Sequence, residues 1–547
     1  MNIARSHCVA GLLLSHSLLL AVALPSSVAQ AGDEKLRTLI VSHDQQALFV
    51  PALVIAEKQK LNGQQLERLI RETVDVHADA GVDIVSLCFF ARYSTGIPDC
   101  RTAETWKPSP KFFPRPAKDF IYNGLEKLGS RDRMQIVVEQ CHQRGIKCLA
   151  NLRMNDRHLV TDYVQELYRQ HPEWELKSPI GAFSDRKGAL NFKYKGVRDQ
   201  LLAFTAELLE RYDVDGLELD YMRMCHMFEP LEARQHAHLL TEMMRRMRGQ
   251  LTETARRRNR KRLVLGVRVP STLEECERLG YEVKTWICEG LVDYVTPTDF
   301  WSTDFVARTE DFVTLTKQTR CKVYPSISPV SSFPTPADKY LTPNQYKAAA
   351  SNFYAFGADG LSAYNYFWTW AYTHQNSVAG PGNVWPSRSL DQLKQLKAPT
   401  ACRAGGRQYL AYTLWTGKNQ PLWHNQTPTG VVRQDKIVLT SDHKKTVASA
   451  RLRVAERPTA QMDFTLEMIV TGMAAEDQLV LSLNEHAIPE SDLKKMSLKG
   501  ADQRITLNVA PEFLRFGDNL IKAAVKTART SYRIEIQWFA LSVVPRP

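Results

Sequence analysis

Short apolar runs alternate with amphipathic segments between about residues 36 and 400. The runs have the length and residue types of buried strands, and the segments between them carry apolar residues at helical spacing. The runs lie at 38–44, 82–92, 146–156, 215–223, 263–270, 292–301, 321–329 and 359–368. Eight strand–helix units predict a closed (β/α)8 TIM barrel rather than an open doubly wound sheet. No GxGxxG, GxxxxGKS or GxxxxGKT motif follows any run, so the sequence does not support a nucleotide-binding sheet.

Past residue 404 the pattern changes to alternating polar and apolar positions with few helical segments. These runs predict an antiparallel β-sandwich over residues 405–547, following a barrel over residues 32–404. The stretch LRFGDNLIKAAV, with a GDN turn between apolar runs, resembles the late strands of galactose-binding-like modules. That resemblance implies an accessory domain that holds glycan or braces the barrel, and we expect bracing.

Residues 1–31 have the pattern of a signal peptide. Arg5 is the single charged residue before the apolar stretch LLLSHSLLLAVAL, and Ala29-Gln30-Ala31 fits a small-x-small cleavage site. We therefore expect a mature chain that begins near Gly32 and is exported, to the periplasm or outside the cell. No other stretch approaches the roughly 20 apolar residues of a membrane-spanning helix, so no transmembrane segment is predicted.

The net charge of the chain adds little to the prediction of its partners. The formal net charge is +12, and much of the excess lies at residues 245–262, RRMRGQLTETARRRNRKR. No aromatic residues interleave with these arginines to stack on bases, so we interpret the run as the solvated end of a surface helix and predict no nucleic-acid partner. A basic surface favours an acidic polysaccharide over a neutral one.

No metal or other cofactor is predicted. The chain has ten cysteines, but none forms a CxxC motif or a Cys/His pair at zinc-ligand spacing. His43, Asp44 and His226 offer metal-dependent hydrolysis as an alternative, yet their spacing matches no ligand motif.

The candidate chemistry begins in DVDGLELDYMR, residues 213–223. Side chains alternate along a strand, so Leu217, Leu219 and Tyr221 share one side and Glu218 and Asp220 share the other. If the leucines face the helices, both carboxylates point into the barrel. Choosing the more polar side of every other run as the inner one adds Arg92, Asn151, Arg153, Arg268, Asp299, Tyr324, Ser326 and Tyr364. Barrel interiors are usually filled by branched apolar side chains, so a charged lumen suggests function. Asp220, Asp299 and Glu218 are the candidate catalytic residues, and the predicted substrate contacts in the lumen are Arg92, Asn151, Arg153, Arg268, Tyr324 and Tyr364.

The surroundings divide the carboxylates between different roles. Beside Arg153 and Arg268, Asp220 is expected to stay ionised, as a nucleophile or a stabiliser of positive charge requires. Asp299 is followed by Phe300 and Trp301, where partial desolvation favours the protonated form of a general acid. Two such carboxylates are what glycoside hydrolysis needs: a separation of about 5 Å implies retention and about 6.5–9.5 Å inversion. For Glu218, an internal ion pair with Arg268 or Arg153 is the alternative.

Aromatic residues supply surfaces for sugar rings. The stretch YNYFWTWAY follows the eighth run and includes Tyr364, Tyr366 and Trp368, and Trp301 follows the sixth run. Trp106 and Tyr93 lie in the long segment after the second run. Flat apolar ring faces suit the carbon skeleton of sugars, so these residues are predicted substrate contacts, although alternate members of such a run belong to the core.

The stretch DVDGLELDYMR also resembles the VDGxHxDYxRxP signature at the fourth strand of the glycosyl-hydrolase-like family ten barrels. Asp220, Tyr221 and Arg223 match that signature, whereas Glu218 stands where histidine is common. The resemblance spans about residues 36–400 and implies a barrel assigned to the glycoside hydrolases, in which the aspartate matching Asp220 is the leading catalytic candidate. The more distant similarity to the chitinase-like DGxDxDxE motif fails at its glutamate, which is Met222 here.

Two further alternatives come from other functional classes. A non-catalytic glycan-binding or cell-surface barrel stays open, because Asp220 has no obvious acid partner in the sequence. A Schiff-base aldolase needs a lysine at the carboxyl end of a strand, whereas Lys147 and Lys322 lie near strand starts. The clan of retaining glycoside hydrolases that carry catalytic glutamates on strands four and seven is also excluded, because the seventh run, CKVYPSISP, carries no acidic residue.

Overall fold

The computed structural model covers most of the predicted barrel and sandwich. It describes residues 35–44, 48–49, 52–53, 55–56, 59–91, 94–95, 97–105, 127–156, 166–177, 189–223, 225–299, 303–328, 341–365, 387–411, 437–441, 447–498 and 502–546. Residues Leu36–Pro547 form one compact unit. The predicted signal peptide lies outside the described residues, and export stays a prediction. Among the helices that the structure describes, none is long and apolar enough to cross a membrane.

The first part of the chain folds as the predicted barrel. Its strands are β1 (Thr38–His43), β2 (Ile84–Ala91), β3 (Lys147–Arg153), β4 (Gly216–Asp220), β5 (Val264–Pro270), β6 (Tyr294–Thr298), β7 (Lys322–Val323), β8 (Ser326–Ile327) and β9 (Gly360–Tyr364). These nine strands are parallel and are ordered β8-β9-β1-β2-β3-β4-β5-β6-β7. Two short unnumbered strands join the same sheet beside β2: Ser94–Thr95, antiparallel to β2, and Glu104–Thr105, which pairs with Ser94–Thr95. The seventh run is split into β7 and β8, with Pro325, which has no N–H to donate, between them. Because β7 pairs with β6 and β8 pairs with β9, the ring of strands closes.

Helices lie between the strands and bury their apolar faces against the sheet. They are α1 (Gly63–Asp79), α2 (Arg133–Gln143), α3 (Glu166–Gln170), α4 (Lys195–Arg211), α5 (Ala233–Arg257), α6 (Leu273–Arg278), α7 (Val283–Cys288), α8 (Thr309–Thr316), α9 (Pro343–Ala355), α10 (Ser387–Leu396) and α11 (Pro399–Arg403). Capping boxes start two of them: Asn62 and Gln65 at α1, and Thr342 and Gln345 at α9. The strand–helix alternation predicted from the sequence is confirmed.

A small apolar layer closes the barrel at the amino ends of its strands. Ile40, Ile84, Leu149, Tyr294 and Tyr324 pack together inside the ring, separate from the main core. The Tyr294 ring fills the space beside Gly266, where a Cβ atom would lie 1.9 Å from the ring Cζ. A glycine is therefore required at that position of β5, and this layer forms the floor of the lumen.

The described residues after 406 form two antiparallel sheets, as predicted. Its strands are β10 (Arg407–Leu410), β11 (Ile437–Thr440), β12 (Val447–Val454), β13 (Met462–Thr471), β14 (Gln478–Leu483), β15 (His486–Ile488), β16 (Lys494–Ser497), β17 (Asp502–Asn508), β18 (Gly517–Lys526) and β19 (Arg533–Pro545). One sheet has the order β10-β19-β13-β17-β16, with β11 also paired to β19, and the other has the order β12-β18-β14-β15. Apolar residues of both sheets join the main core.

The β-sandwich contacts the barrel through a buried arginine on β12. The Arg453 guanidinium pairs with Glu310 on α8 at 3.0 Å and with Asp518 on β18 at 3.0 Å, and it lies 4.1 Å from the centre of the Phe356 ring. The amide of Asn352 donates to the carbonyl of Arg453. These contacts fix β12 against α8 and α9, and the bracing role of the sandwich stays a prediction.

Loss of this arginine is expected to weaken the whole fold. Replacing Arg453 by alanine removes a buried guanidinium from Glu310 and Asp518, which keep Arg308 as a second shared cation. The free energy of unfolding should therefore fall by about 2–3 kcal/mol, mainly through the lost charge-assisted hydrogen bonds. Arg451→Ala is the matched control, because Arg451 lies on the same strand, pairs with Asp518 at only 3.9 Å and is half exposed. Urea unfolding of the two variants measures the difference, and equal destabilisation would contradict the bracing role.

The basic run at residues 245–262 is held by ion pairs and carbonyl contacts. It covers the end of α5 and the turn after it, where Arg248 is buried and donates to the carbonyls of Leu263 and Leu291 and to Asp293. Arg262 also pairs with Asp293, at 2.6 Å. The expectation of a solvated helix end is therefore wrong for Arg248, which secures the amino-end side of β5 and β6.

Candidate active site

Glu218 lies at the centre of the lumen, directly above the floor. Its Oε1 accepts hydrogen bonds from Ser42 (3.0 Å), Ser86 (2.7 Å) and Asn151 (2.8 Å), and its Oε2 accepts one from the Tyr294 hydroxyl at 2.7 Å. These donors belong to β1, β2, β3 and β6. The carboxylate is fully buried and is satisfied by neutral groups, so it ties four strands together. The predicted ion pair with Arg268 or Arg153 is not among the contacts of Glu218 in the described residues.

Asp220 lies two residues further along β4, at its carboxyl end. Its Oδ2 accepts a hydrogen bond from Arg268 Nη1 at 2.5 Å, and its Oδ1 accepts one from the backbone N–H of Met222 at 3.0 Å. Both side chains of the ion pair are 0% exposed. The strand register places Asp220 between Arg153 on β3 and Arg268 on β5. The alternation along β4 is therefore as predicted, with Leu217 and Leu219 in the main core.

Tyr364 lies between the two arginines of this layer. The Arg268 Cζ atom is 3.6 Å from the centre of the Tyr364 ring, and Arg153 Nη2 reaches the Tyr364 hydroxyl at 3.5 Å. Burial raises the pKa of the Tyr364 hydroxyl, although Arg153 acts in the opposite direction. The tyrosine is therefore neutral near pH 7 and serves as a flat support for Arg268.

Two further carboxylates extend the charged layer toward the carboxyl ends of the strands. Arg153 Nη1 contacts Asp44 at 3.2 Å and Asp156 at 3.3 Å, and Arg223 Nε lies 3.8 Å from Asp156. Burial alone would lower the pKa of Arg153, but Asp44 and its other neighbours raise it well above its ordinary value. The upper lumen therefore holds permanent charges of both signs.

Two predicted substrate contacts belong instead to the barrel's internal structure. Asn151 donates its side-chain N–H to Glu218, and Tyr324 packs in the floor beside Tyr294, with ring centres 5.4 Å apart. Burial raises the pKa of Tyr324 to about 12. Tyr324 is separated from the carboxyl ends of the strands by the layer of Glu218, so its position does not fit the predicted contact with substrate.

Asp299 is buried directly after β6, and the alternation predicted for that strand is wrong. The Tyr294 hydroxyl reaches Glu218 and Thr296 is in register with Arg268, so even-numbered residues of β6 face the lumen. Asp299 has the opposite parity and follows the last strand residue. Its charge acts on Cys225, where burial and the neighbouring Glu275 and Asp299 charges raise the pKa to about 12. Asp299 therefore lies at the carboxyl end of the barrel, near the loop after β4.

The alternation also breaks in β2. A bulge lies between Cys88 and Phe90, and consecutive residues Phe89 and Phe90 both pack outward, against Tyr212 and Phe204. The strict alternation of side chains that predicted an inward-facing Arg92 therefore does not continue past the bulge. Four predicted contacts lie outside the described residues, namely Arg92, Trp301, Tyr366 and Trp368, and so do Tyr93 and Trp106.

The loop after β2 is anchored by a carboxylate from α4. Glu207 accepts hydrogen bonds from the backbone N–H groups of Arg101 and Thr102 and from the Thr102 hydroxyl. Burial raises the pKa of Glu207, but these donors outweigh it and lower the value to about 2. The segment that begins this long connection is thus fixed to the barrel wall.

His43 and Asp44 do not converge on a common site. His43 Nε2 lies 2.7 Å from His77 Nε2 behind β1, whereas Asp44 contacts Arg153. Within the described ranges, no group of three or more His, Cys, Asp or Glu side chains could hold a metal ion. The nine described cysteines form no disulfide with one another.

The buried pair His43 and His77 makes the free energy of unfolding fall as the pH is lowered. Burial lowers the pKa of His77 to about 4 and that of His43 well below its usual range, so both are neutral in the folded state. The unfolded chain takes up these protons below pH 6.5, so stability should fall by about 3 kcal/mol between pH 6.5 and pH 4 through His77 alone. His77→Gln should flatten this part of the curve, and His238→Gln, at an exposed position, should not. An unchanged slope in His77→Gln would refute the assignment.

Comparisons with known proteins do not assign the chain to a family. No family model and no curated protein matches it. Solved structures that match include alpha-L-fucosidase isoenzyme 2 from Paenibacillus thiaminolyticus, with 12% identity, a TM-score of 0.36 and coverage of 60% of this chain and 45% of that one. The maltogenic alpha-amylase AmyB from Thermotoga neapolitana has the same identity and TM-score over 89% and 99% of the two chains. The PgaB (BpsB) glycoside hydrolase domain from Bordetella bronchiseptica also has 12% identity and a TM-score of 0.36, over 63% and 98%.

Proposed function

We propose that this chain is an exported glycoside hydrolase that acts on an extracellular polysaccharide or oligosaccharide. The observation that carries the proposal is the Asp220–Arg268 pair at the carboxyl end of β4, inside a lumen with permanent charges. Active sites of barrel enzymes are built at this end of the strands. A buried ion pair recovers its desolvation cost poorly, so stability alone gives little reason to keep it there.

Asp220 suits the role of nucleophile or base. Arg268 and the Met222 N–H each occupy one carboxylate oxygen, which leaves a lone pair on both oxygens for a substrate atom or a water. The Tyr364 ring holds the Arg268 guanidinium in place beside this carboxylate. An ionised carboxylate in a fixed orientation stabilises the positive charge that develops on a sugar ring during glycosidic cleavage.

Glu218 supports the site without taking part in the chemistry. Its oxygens are engaged by Ser42, Ser86, Asn151 and Tyr294, and it lies one layer below Asp220. We therefore assign Glu218 to positioning β4 rather than to the catalytic pair. Asp299 is the residue that we propose as general acid, because it is buried directly after β6, two strands from β4, and lies close enough to the loop after β4 for its charge to act on Cys225.

The proposed role of Asp299 as general acid can be tested with two substrates that differ in their leaving group. Asp299→Asn should reduce hydrolysis of a natural glycan by about a hundredfold or more, because the departing oxygen needs a proton. Hydrolysis of an aryl glycoside with a good leaving group should fall much less, since that group departs without one. Asp304→Asn is a control at a buried aspartate nearby in sequence, which accepts from Ser271. Equal losses on both substrates would exclude Asp299 as the acid.

The complete burial of Asp220 favours a second candidate, a barrel that binds glycan without cleaving it. A panel of neutral, uronic and sulfated glycans separates the two functions. Release of reducing ends by the mature protein supports the hydrolase, whereas binding of a glycan that is recovered intact supports the non-catalytic barrel.

A further inference from the structure

We propose that the substrate carries an oxyanion, either a uronate carboxylate or a sulfate ester, that docks on the unused edge of Arg268. This inference rests on the proposed function, because it names the class of sugar that would lie beside Asp220. Arg268 donates to Asp220 only through Nη1. Its Nε and Nη2 atoms are buried and have no hydrogen-bond partner among the described residues.

The two unused donors form one geometric unit. The Nε–H and Nη2–H bonds of a guanidinium point in parallel along the same edge, and this fork matches two coplanar oxygens of one acceptor group. The ring of Tyr364, 3.6 Å from Arg268 Cζ, covers one face of the guanidinium. The edge therefore has a fixed orientation, and leaving it unpaired costs about 1–3 kcal/mol per buried donor.

Other polar atoms inside the barrel also lack hydrogen-bond partners. Arg153 Nε has no partner among the described residues, and this guanidinium also contacts Tyr364. Three hydroxyls on the inner side of the barrel are unpaired as well: Thr296, Ser326 and Ser362. Hydroxyls can donate or accept, whereas the guanidinium atoms only donate. A ligand that satisfies this layer must be rich in acceptor oxygens.

Charge favours an ionised acceptor over a neutral diol. Hydrogen bonds between a guanidinium and an oxyanion are roughly twice as strong as those between neutral groups. Asp44 and Asp156 pair with Arg153, so neither carboxylate occupies the unused edge of Arg268. Asp220 occupies only Nη1 of Arg268, so the same guanidinium can bind Asp220 and a ligand oxyanion together. The formal charge of +12 on the chain also raises the local concentration of polyanions.

The test compares matched sugars that cannot be hydrolysed. Isothermal titration should show that the protein binds D-glucuronate or D-galacturonate, or a sulfated monosaccharide, at least about tenfold more tightly than the corresponding neutral sugar. Preference for only the uronates or only the sulfated sugars identifies the oxyanion. Equal affinity for charged and neutral sugars would overturn the inference.

Arg268→Lys removes the fork but keeps a cation for Asp220, so the preference for charged sugars should disappear. Arg248→Lys is the control, because Arg248 is also buried and hydrogen-bonded but lies outside the lumen. If Arg268→Lys does not fold, a crystal of the wild-type protein soaked with the uronate decides, with both carboxylate oxygens expected about 2.7–2.9 Å from Arg268 Nε and Nη2. Occupation of any other site, or a preference that survives in folded Arg268→Lys, would contradict the docking.

The two proposals fail in different ways. Cleavage of neutral glycans without any preference for charged sugars would sustain the hydrolase and remove the oxyanion site. A preference for charged sugars without release of reducing ends would sustain the oxyanion site and remove the hydrolase.

Discussion

Asp220→Asn should abolish glycan hydrolysis, lowering the rate by about a thousandfold or more, because a neutral amide cannot act as nucleophile or base. The amide has nearly the same shape as the carboxylate and can still accept from the Met222 N–H. It cannot neutralise Arg268, whose side chain is 0% exposed. The measurement is the release of reducing ends from whichever glycan the wild-type protein cleaves.

Folding must be separated from chemistry in this experiment. An unpaired buried cation costs about 3–5 kcal/mol, so part of the loss in Asp220→Asn could come from unfolding. A double variant, Asp220→Asn with Arg268→Gln, removes both charges and should recover most of that stability, while activity stays absent. Full activity in a folded Asp220→Asn protein would rule out the proposed role.

Glu218→Ala should be the most destabilising single substitution in the barrel. It removes one acceptor from four buried donors on β1, β2, β3 and β6. Each unpaired buried donor costs about 1–3 kcal/mol, and a whole protein is stable by only about 5–15 kcal/mol, so we expect little folded protein. Glu218→Gln keeps an acceptor oxygen and should lie between the alanine variant and the wild type.

The control for this prediction is a glutamate at the surface. Glu210→Ala removes a carboxylate that is 62% exposed and pairs with Arg101, so the free energy of unfolding should change by less than about 1 kcal/mol. Chemical unfolding monitored by circular dichroism compares the three variants. A Glu218→Ala protein as stable as Glu210→Ala would show that the four hydrogen bonds to Glu218 do not hold the strands together.

The architecture was accessible from the sequence because it depends on local periodicity. Each strand run and each amphipathic segment can be recognised within about 20 residues, and eight alternations leave few other folds. The inward direction of Glu218 and Asp220 followed from the period of two along β4. The same local pattern also predicted two antiparallel sheets at the end of the chain.

The prediction of inward-facing side chains failed where the geometry of one strand depends on its neighbour. The inner side of β6 is set by Tyr294, whose ring occupies the space beside Gly266 on β5, and nothing in the local pattern of β6 indicates this. The bulge after Cys88 changes the parity of β2 in the same way. Asp299 was therefore assigned to the lumen by an alternation that does not hold at β6, whereas Arg92 lies outside the described residues and its inward direction stays a prediction.

The partners of the charged groups were also beyond local prediction. Ser42 and Ser86 donate to Glu218 from 176 and 132 residues away, and the sequence offers only the weak signal that each is a polar residue on the inner side of an apolar strand. Asp156 and Arg223 lie just past strand ends, where alternation no longer applies. Their ion pairs depend on how neighbouring strands are aligned in the closed barrel.

The most direct test of the central claim is a crystal structure of the Asp220→Asn variant with a bound oligosaccharide. We expect a sugar at the carboxyl end of β4, with its anomeric carbon about 3–3.5 Å from the substituted side chain, or separated from it by a single water if Asp220 is a base. A glycan bound only to the sandwich or to the outer surface of the barrel, with the layer of Arg268 and Tyr364 unchanged and empty, would contradict the claim that chemistry occurs in this lumen.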